Sequence, residues 1–101
     1  MRRRVRLSGP AAADLLDILT YLAAESPRAA ETIADQLDDA IADLADSSDH
    51  FAVVTSRPES RLRRRVVGAY NIFYRADREL VTVMRILHGA RNATHLLFPD
   101  T

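Results

Sequence analysis

The sequence predicts an α+β fold in the order β-α-α-β-β-β, with a small, mostly antiparallel sheet packed against a helical hairpin. Two observations favour this fold. Apolar residues recur every three or four positions through two consecutive segments near the N-terminus, and three strand-like runs with short connections follow in the second half. The chain has 101 residues, so we expect one domain spanning residues 1–101.

The first half of the sequence carries the signals of a short strand and two helices. Apolar residues alternate with arginines over 4–7, which is typical of a strand. Ser8 is a suitable helix N-cap with Pro10 in the first turn, and Ser26-Pro27 repeats this arrangement. The first helix should therefore end near Glu25, with the second beginning at once. Two amphipathic helices joined by so short a link should lie roughly antiparallel. Their apolar positions are Ala11, Leu15, Ile18, Leu19 and Leu22 in the first helix, and Ala30, Ile33, Leu37, Ile41 and Leu44 in the second.

The second half predicts a loop followed by three strands. Residues 46–60 are rich in turn formers, and the apolar patch at 51–54 should pin this loop to the core. The connections between the strands are short enough for hairpins, so we expect antiparallel neighbours. The tail from residue 88 should fold back on the domain. The strand-like runs are 62–67, 70–76 and 80–87.

Composition excludes several classes of protein. There is no cysteine, so disulfides, thiolate zinc sites and a cysteine nucleophile are excluded. Three histidines at wide spacing make a poor metal site, and we expect neither a metal nor a cofactor. The longest uncharged run, 66–74, is far shorter than the ~20 residues of a membrane span. Asp14 and Asp17 interrupt the segment after the arginine-rich start, which argues against a signal peptide. We expect a cytoplasmic protein.

The formal net charge is zero, but the charges are segregated along the chain. Residues 1–9 carry four arginines and no acid, residues 10–50 carry ten acids and one arginine, and residues 51–101 carry nine arginines and four acids. All basic residues are arginines, whose guanidinium groups bind carboxylates and phosphates bidentately. One surface could therefore meet an anionic partner, or the segregation could serve solubility alone. On the last three strands, alternation should give one sheet face a basic, partly apolar surface.

Motifs in the predicted elements resemble those of the ParE/RelE superfamily of toxins from type II toxin–antitoxin systems. The first helix contains D-L-x-x-I-x-x-Y (14–21), the loop contains R-P-E (57–59), the middle strand contains Y-x-I-F-Y-R (70–75), and the last strand continues into R-I-L-H-G-A-R-N (85–92). Asn92 stands where the family commonly has Asp. The resemblance covers nearly the whole chain in the right order, and it is closer to the ParE branch.

The resemblance implies a hetero-oligomer in which a ParD-like antitoxin neutralises the toxin. ParE-type toxins are associated with inhibition of DNA gyrase, and RelE-type toxins with cleavage of mRNA on the ribosome. A third possibility is an inactive toxin-like module that only pairs with its antitoxin. Fold alone does not choose among these activities, because function depends on the residues of the site.

RNA cleavage through the 2′-hydroxyl requires a base, an acid and a cation for the developing charge. RelE-type toxins carry Arg or Lys directly after the first tyrosine of the middle strand, where this chain has Asn71. The weak catalytic candidates are His88, His95 and Arg91. This shortage of proton-transfer groups favours inhibition of gyrase by binding, with the ribosome-dependent endoribonuclease as the alternative. Tyr70 and Tyr74 should be core or groove residues.

A binding mechanism requires a surface, which arginines on the sheet can provide. We expect two or three of them to pair with aspartates across the helix–sheet boundary, and Arg63 and Arg91 to face a ligand, mainly because they match the family motif. We expect no direct sequence-specific binding of nucleic acid. The candidate target-binding residues are Arg63, Arg64, Arg65, Arg75, Arg85 and Arg91.

The first helix offers a second candidate surface. Ala12, Leu16 and Ala23 are apolar residues beside its core stripe. They could receive an amphipathic helix of the antitoxin, or they could pack more deeply in the core.

Overall fold

A computed structural model describes residues 2–89 and 93–98 of the chain. The predicted order β-α-α-β-β-β is confirmed, and a short helix follows the last strand. Among these residues no helix is both long enough and apolar enough to cross a membrane. The elements are β1 (Arg4–Leu7), α1 (Gly9–Glu25), α2 (Pro27–Ser47), a 3₁₀ turn (Pro58–Ser60), β2 (Arg63–Val67), β3 (Tyr70–Ala76), β4 (Leu80–His88) and α3 (Ala93–Leu97).

Two serines set the ends of the helical hairpin. The Ser8 Oγ accepts a hydrogen bond from the Ala11 N–H at 3.1 Å, and the Ser26 Oγ accepts one from the Ala29 N–H at 3.2 Å. The Ser26 N–H also donates to the Leu22 carbonyl at 2.7 Å. Ser26 thus ends α1 and begins α2 within one extended residue, as predicted, because its side chain satisfies an amide that a helix start leaves without a partner.

The strands form one sheet in the order β1-β4-β3-β2. β2, β3 and β4 are antiparallel neighbours, whereas β1 pairs parallel to β4. The helical hairpin lies within the long connection between these two parallel strands, as parallel pairing requires. Gly68 opens the two-residue turn between β2 and β3 with φ +57°, the positive φ that a type II′ hairpin turn needs at its first position.

The larger core lies between the hairpin and one face of the sheet. Leu37 and Leu44 of α2 are fully buried against Ile72 and Tyr74 of β3, and Phe51 of the loop packs at its edge, as predicted. The Tyr74 hydroxyl donates to the Ser48 carbonyl at 2.6 Å. The expectation that Tyr74 is a core residue is confirmed.

A smaller core lies on the other face of the sheet. Leu62, Phe73 and Leu87 are buried there beneath Leu96 and Leu97 of the C-terminal segment. The expectation that the tail folds back on the domain is confirmed, and α3 consequently covers one end of the face that the hairpin leaves open.

The buried phenol of Tyr74 makes stability sensitive to high pH. Burial raises the pKa of Tyr74 to about 12, from an ordinary value of 10.0. Between these values the folded chain keeps a proton that the unfolded chain releases. The contribution of Tyr74 to the free energy of unfolding should therefore stay constant below about pH 10. It should fall by roughly 2–3 kcal/mol as the pH rises to about 12. Urea unfolding at increasing pH measures this loss.

The chain has no lysine or cysteine, so the tyrosines are the side chains whose titration dominates between about pH 10 and 12. Tyr74→Phe should remove most of the alkaline loss, whereas Tyr21→Phe, at a residue that is 70% exposed, should retain it. An unchanged alkaline loss in Tyr74→Phe contradicts the prediction.

Candidate functional site

The face of the sheet turned away from the hairpin, here called the open face, is basic. Side chains alternate along each strand, so Val5 and Leu7 of β1 enter the core while Arg4 and Arg6 are exposed. Other positions of this face that the smaller core does not bury are Arg64, Val66, Asn71, Arg75 and Thr82. Val66 is 61% exposed, so the predicted basic and partly apolar surface is present.

The acidic residues of α2 lie in the helical layer, on the other side of the sheet from the open face. The outer face of α2 exposes a row of carboxylates, and the short hairpin places them away from the open face. The charge segregation of the sequence is therefore also a segregation in space. The exposed acids of α2 are Glu31, Asp35, Asp38, Asp39, Asp43 and Asp46.

A cleft of about 370 Å³, here called the cleft, lies at the α3 end of the open face. Its walls are loop residues 52–56 and α3, and its sheet side carries Arg64, Asn71 and Phe73. The loop keeps its position through backbone hydrogen bonds to the start of β2: the Val54 N–H donates to Leu62 O at 2.7 Å, and the Arg64 N–H donates to Ala52 O at 3.1 Å.

A second depression of about 380 Å³, here called the basin, lies at the β1 end of the open face. Arg6, Arg61 and Arg75 line it together with Thr82. Arg6 and Arg61 were not among the site residues predicted from the sequence. The alternation over 4–7 was a signal for Arg6, because it already placed the arginines of that strand opposite the core.

Arg63 and Arg65 lie on the helix side of the sheet. The Arg63 Nη1 donates to the Phe51 carbonyl, and the Arg65 Nη1 donates to Asp43 Oδ2 at 2.8 Å and to Ala40 O at 3.0 Å. The Arg65 guanidinium also stacks 4.7 Å from the centroid of the Phe51 ring. The pKa of Asp43 is lowered by hydrogen bonds from Ser47 and Arg65.

The structure places Arg63 on the helix side of the sheet and not on the open face, and its contact with a ligand stays a prediction. The side chains of residues 63, 65 and 67 face the helices because side chains alternate along β2. The guanidinium group of Arg63 donates to a loop carbonyl, and that of Arg65 donates to a carbonyl of α2. Family motif alone did not indicate on which face the side chain lies.

Arg85 is bound by Asp14 of α1 at a β-bulge. Phe73 pairs with Arg85 but Tyr74 pairs with Val83, so Met84 is an extra residue in β4. The Arg85 Nε donates to Asp14 Oδ2 at 2.7 Å, and its Nη2 donates to Asp14 Oδ1 at 2.8 Å. Hydrogen bonding to Asp14 raises the pKa of Arg85.

The same carboxylate also satisfies the backbone of the bulge. Asp14 Oδ2 accepts from the Ile86 N–H at 2.9 Å, and the Ser8 hydroxyl donates to Met84 O at 2.8 Å. Arg65 with Asp43 and Arg85 with Asp14 confirm the expectation that two or three arginines pair with helix aspartates. Arg85 is consequently a structural residue in this fold.

Arg64 and Arg75 are the candidate target-binding residues that the structure exposes. Arg64 lines the cleft, and Arg75 lines the basin with its Nε donating to Ser60 O at 2.9 Å. Neither lies within ion-pair distance of a carboxylate in the described ranges 2–89 and 93–98. Arg91 lies outside the described residues.

The two histidine candidates lie apart from the described lining of the cleft. His88 ends β4 and meets the Tyr70 ring edge-on, with the ring centroids 5.6 Å apart. His95 is exposed on α3. Over residues 2–89 and 93–98 there is no group of three or more metal-ligating side chains.

The outer face of α1 carries an exposed apolar stripe. Leu16 is 66% exposed, and Ala12 and Ala23 are also exposed. The alternative in which these residues pack in the core is therefore wrong. Tyr21, which ends the motif of the first helix, is 70% exposed beside them.

This fold is that of toxins from toxin–antitoxin systems. The chain superposes on a structure titled as the chromosomal ParDE system from P. aeruginosa with a TM-score of 0.70 at 19% identity, covering 86% of this chain and 96% of that one. It superposes on the RelBE2 toxin–antitoxin complex from Mycobacterium tuberculosis with a TM-score of 0.63 at 21% identity, covering 87% and 99%.

The sequence assigns the chain to one family within that fold. Residues 5–93 match the model of the ParE toxin of the type II toxin–antitoxin system parDE, and the chain belongs to this family. No curated protein matches the chain in sequence.

Asp14 should contribute strongly to stability. Asp14→Ala removes three hydrogen bonds at once and leaves the half-buried Arg85 without its counter-charge, so we expect a loss of about 2–4 kcal/mol. The neighbouring surface variant Asp17→Ala should change stability by less than about 0.5 kcal/mol. Urea denaturation of both variants measures the difference, and equal losses would contradict the role assigned to Asp14.

Proposed function

We propose that this toxin inhibits DNA gyrase by binding it through the open face of the sheet, without a catalytic step of its own. The observation that carries the proposal is the pair of exposed guanidinium groups of Arg64 and Arg75, which have no described carboxylate partner. Accessible, uncompensated guanidinium groups bind carboxylates or phosphates of a large partner. The acidic helices on the opposite side favour approach of an anionic partner in one orientation.

The chemistry of the cleft supports binding over RNA cleavage. Its described polar side chains include the guanidinium of Arg64, the amide of Asn71 and the hydroxyls of Thr55 and Ser56. These groups form hydrogen bonds but do not exchange protons readily near neutral pH. Cleavage through the 2′-hydroxyl depends on such an exchange.

The proposal includes neutralisation by a ParD-like antitoxin in the cytoplasm. The exposed stripe of α1, formed by Ala12, Leu16 and Ala23, suits the apolar face of an amphipathic helix. Membership of the ParE family and the ParDE and RelBE2 neighbours support an antitoxin as the partner that covers it.

The gyrase proposal is tested with purified, antitoxin-free toxin in a DNA supercoiling assay. The wild-type chain should inhibit supercoiling. Arg64→Gln/Arg75→Gln should require at least about tenfold more protein, since two charge-assisted contacts are lost. Arg2→Gln/Arg28→Gln removes the same charge away from the open face and should leave inhibition unchanged.

Two results would overturn this proposal. One is full gyrase activity at saturating wild-type toxin. The other is a set of codon-positioned cuts in translated mRNA, detected by primer extension, which would assign the chain to the endoribonucleases.

Antitoxin binding is tested at the stripe of α1. Leu16→Glu places a charge in the proposed apolar contact and should weaken binding of the cognate antitoxin by at least about tenfold in calorimetry. Ala42→Glu adds the same charge at an exposed position of α2 and is the matched control. If both variants bind like the wild type, the antitoxin occupies another surface.

A further inference from the structure

The basin is built around a row of three side chains that crosses the sheet. Arg6 of β1 pairs in register with Thr82 of β4, and Thr82 pairs with Arg75 of β3. Neighbouring strands lie about 4.8 Å apart, which places the two arginine Cα atoms roughly 10 Å from each other with the threonine between them. Both arginines are exposed on the open face.

Each arginine of the row is oriented by its Nε and presents its outer nitrogens. The Arg6 Nε donates to Thr82 Oγ1 at 3.4 Å, and the Arg75 Nε donates to Ser60 O at 2.9 Å. Their Nη1 and Nη2 groups make no hydrogen bond to residues 2–89 or 93–98. Each therefore keeps the paired donors that bind an anion bidentately.

Arg61 adds a third guanidinium from the 3₁₀ turn. Its backbone has φ +58° and ψ +19°, a left-handed conformation that glycine adopts more readily than arginine. Arginine thus occupies a turn position that backbone preference assigns to glycine.

The positive charge of the basin is largely uncompensated. Within the described ranges, no carboxylate lies within 4.0 Å of the guanidinium groups of Arg6, Arg61 or Arg75. Asp77 lines the basin, but its Oδ1 accepts the backbone N–H groups of Glu79 and Leu80 in the turn between β3 and β4.

We propose that the basin binds the phosphodiester backbone of duplex DNA without reading its sequence. This inference rests on the proposed function and deepens it, because it makes the DNA held by gyrase part of what the toxin contacts. Two long arginine side chains whose Cα atoms lie roughly 10 Å apart, with a hydroxyl between them, can reach the non-bridging oxygens of one phosphate from both sides. Arg4 and Arg64 extend the positive charge across the same face.

The lining of the basin favours duplex over single-stranded nucleic acid. Proteins that bind single strands stack the bases on aromatic side chains. Among the described residues, the basin is lined by arginines, hydroxyls, apolar side chains and the single carboxylate of Asp77, and its lining contains no aromatic residue. A ligand that presents phosphates outward and keeps its bases paired meets these requirements.

Fluorescence anisotropy with a short, labelled duplex of mixed sequence tests the proposal on the full-length, antitoxin-free toxin. The logarithm of the binding constant should fall linearly with the logarithm of salt concentration. Five phosphate contacts correspond to a slope of about −4.5. A scrambled duplex should bind equally well, and single-stranded RNA of the same length should bind more weakly.

Variants of the basin separate DNA binding from folding. Arg6→Gln/Arg75→Gln should reduce the magnitude of the slope by about 1.8, and the charge-matched control Arg2→Gln/Arg28→Gln should leave it unchanged. Arg61→Gly should weaken DNA binding while its urea midpoint stays equal or rises, because glycine relieves the left-handed backbone.

The outcomes distinguish this inference from the gyrase proposal. Wild-type inhibition of gyrase without salt-dependent DNA binding overturns this inference alone. Salt-dependent DNA binding lost in the basin variants, without inhibition of gyrase, overturns the gyrase proposal alone. Tighter binding to single-stranded RNA than to the duplex, or equal losses in the basin and control variants, also overturns the inference.

Discussion

The contact on which the rest of the structure depends is the Asp14 carboxylate at the bulge of β4. It accepts two hydrogen bonds from Arg85 and one from the Ile86 N–H, which the interrupted ladder would otherwise leave without a partner. The bulge changes the phase of the strand, so that both Val83 and Ile86 face the hairpin core. One side chain of α1 therefore joins the helical hairpin to β4 at the point where the register of that strand shifts.

The bulge also explains how the arginines divide between two roles. Arg85 is drawn to α1 by Asp14, while β2, which has no bulge, alternates strictly and sends Arg63 and Arg65 toward the helices. The arginines that stay accessible are those whose strand position faces away from the hairpin, such as Arg64 and Arg75. Whether a guanidinium group is accessible thus depends on the face to which its strand position points and on the bulge in β4. Arginines that are neighbours in the sequence therefore lie on two opposite faces of the sheet.

Most of the fold could be predicted from the sequence, because its signals are local. Ser8 and Ser26 cap the helices, and Gly68 marks a hairpin turn, each through contacts within a few residues. The parallel pairing of β1 with β4 depends on partners that are far apart in the chain, and no local pattern indicates it. The site was harder to predict for a related reason. The exposure of Arg63 depends on which face the hairpin covers, and the role of Arg6 depends on its distant partner Thr82.

Separation of charge onto opposite faces has a further consequence for how such a toxin is controlled. In the function proposed above, an anionic partner approaches the open face, whereas the exposed Leu16 stripe lies on α1 in the helical layer. A neutralising segment bound only to that stripe would leave the arginines accessible, so neutralisation requires either a long segment that reaches both surfaces or steric exclusion of a bulky target. Segments that order on binding can span such distances, and they lose conformational entropy in doing so. In the proposed arrangement, the apolar stripe of α1 would supply much of the affinity for the antitoxin, and blocking of the open face would displace the target. The affinity of neutralisation and its effect on the target would then depend on two different surfaces.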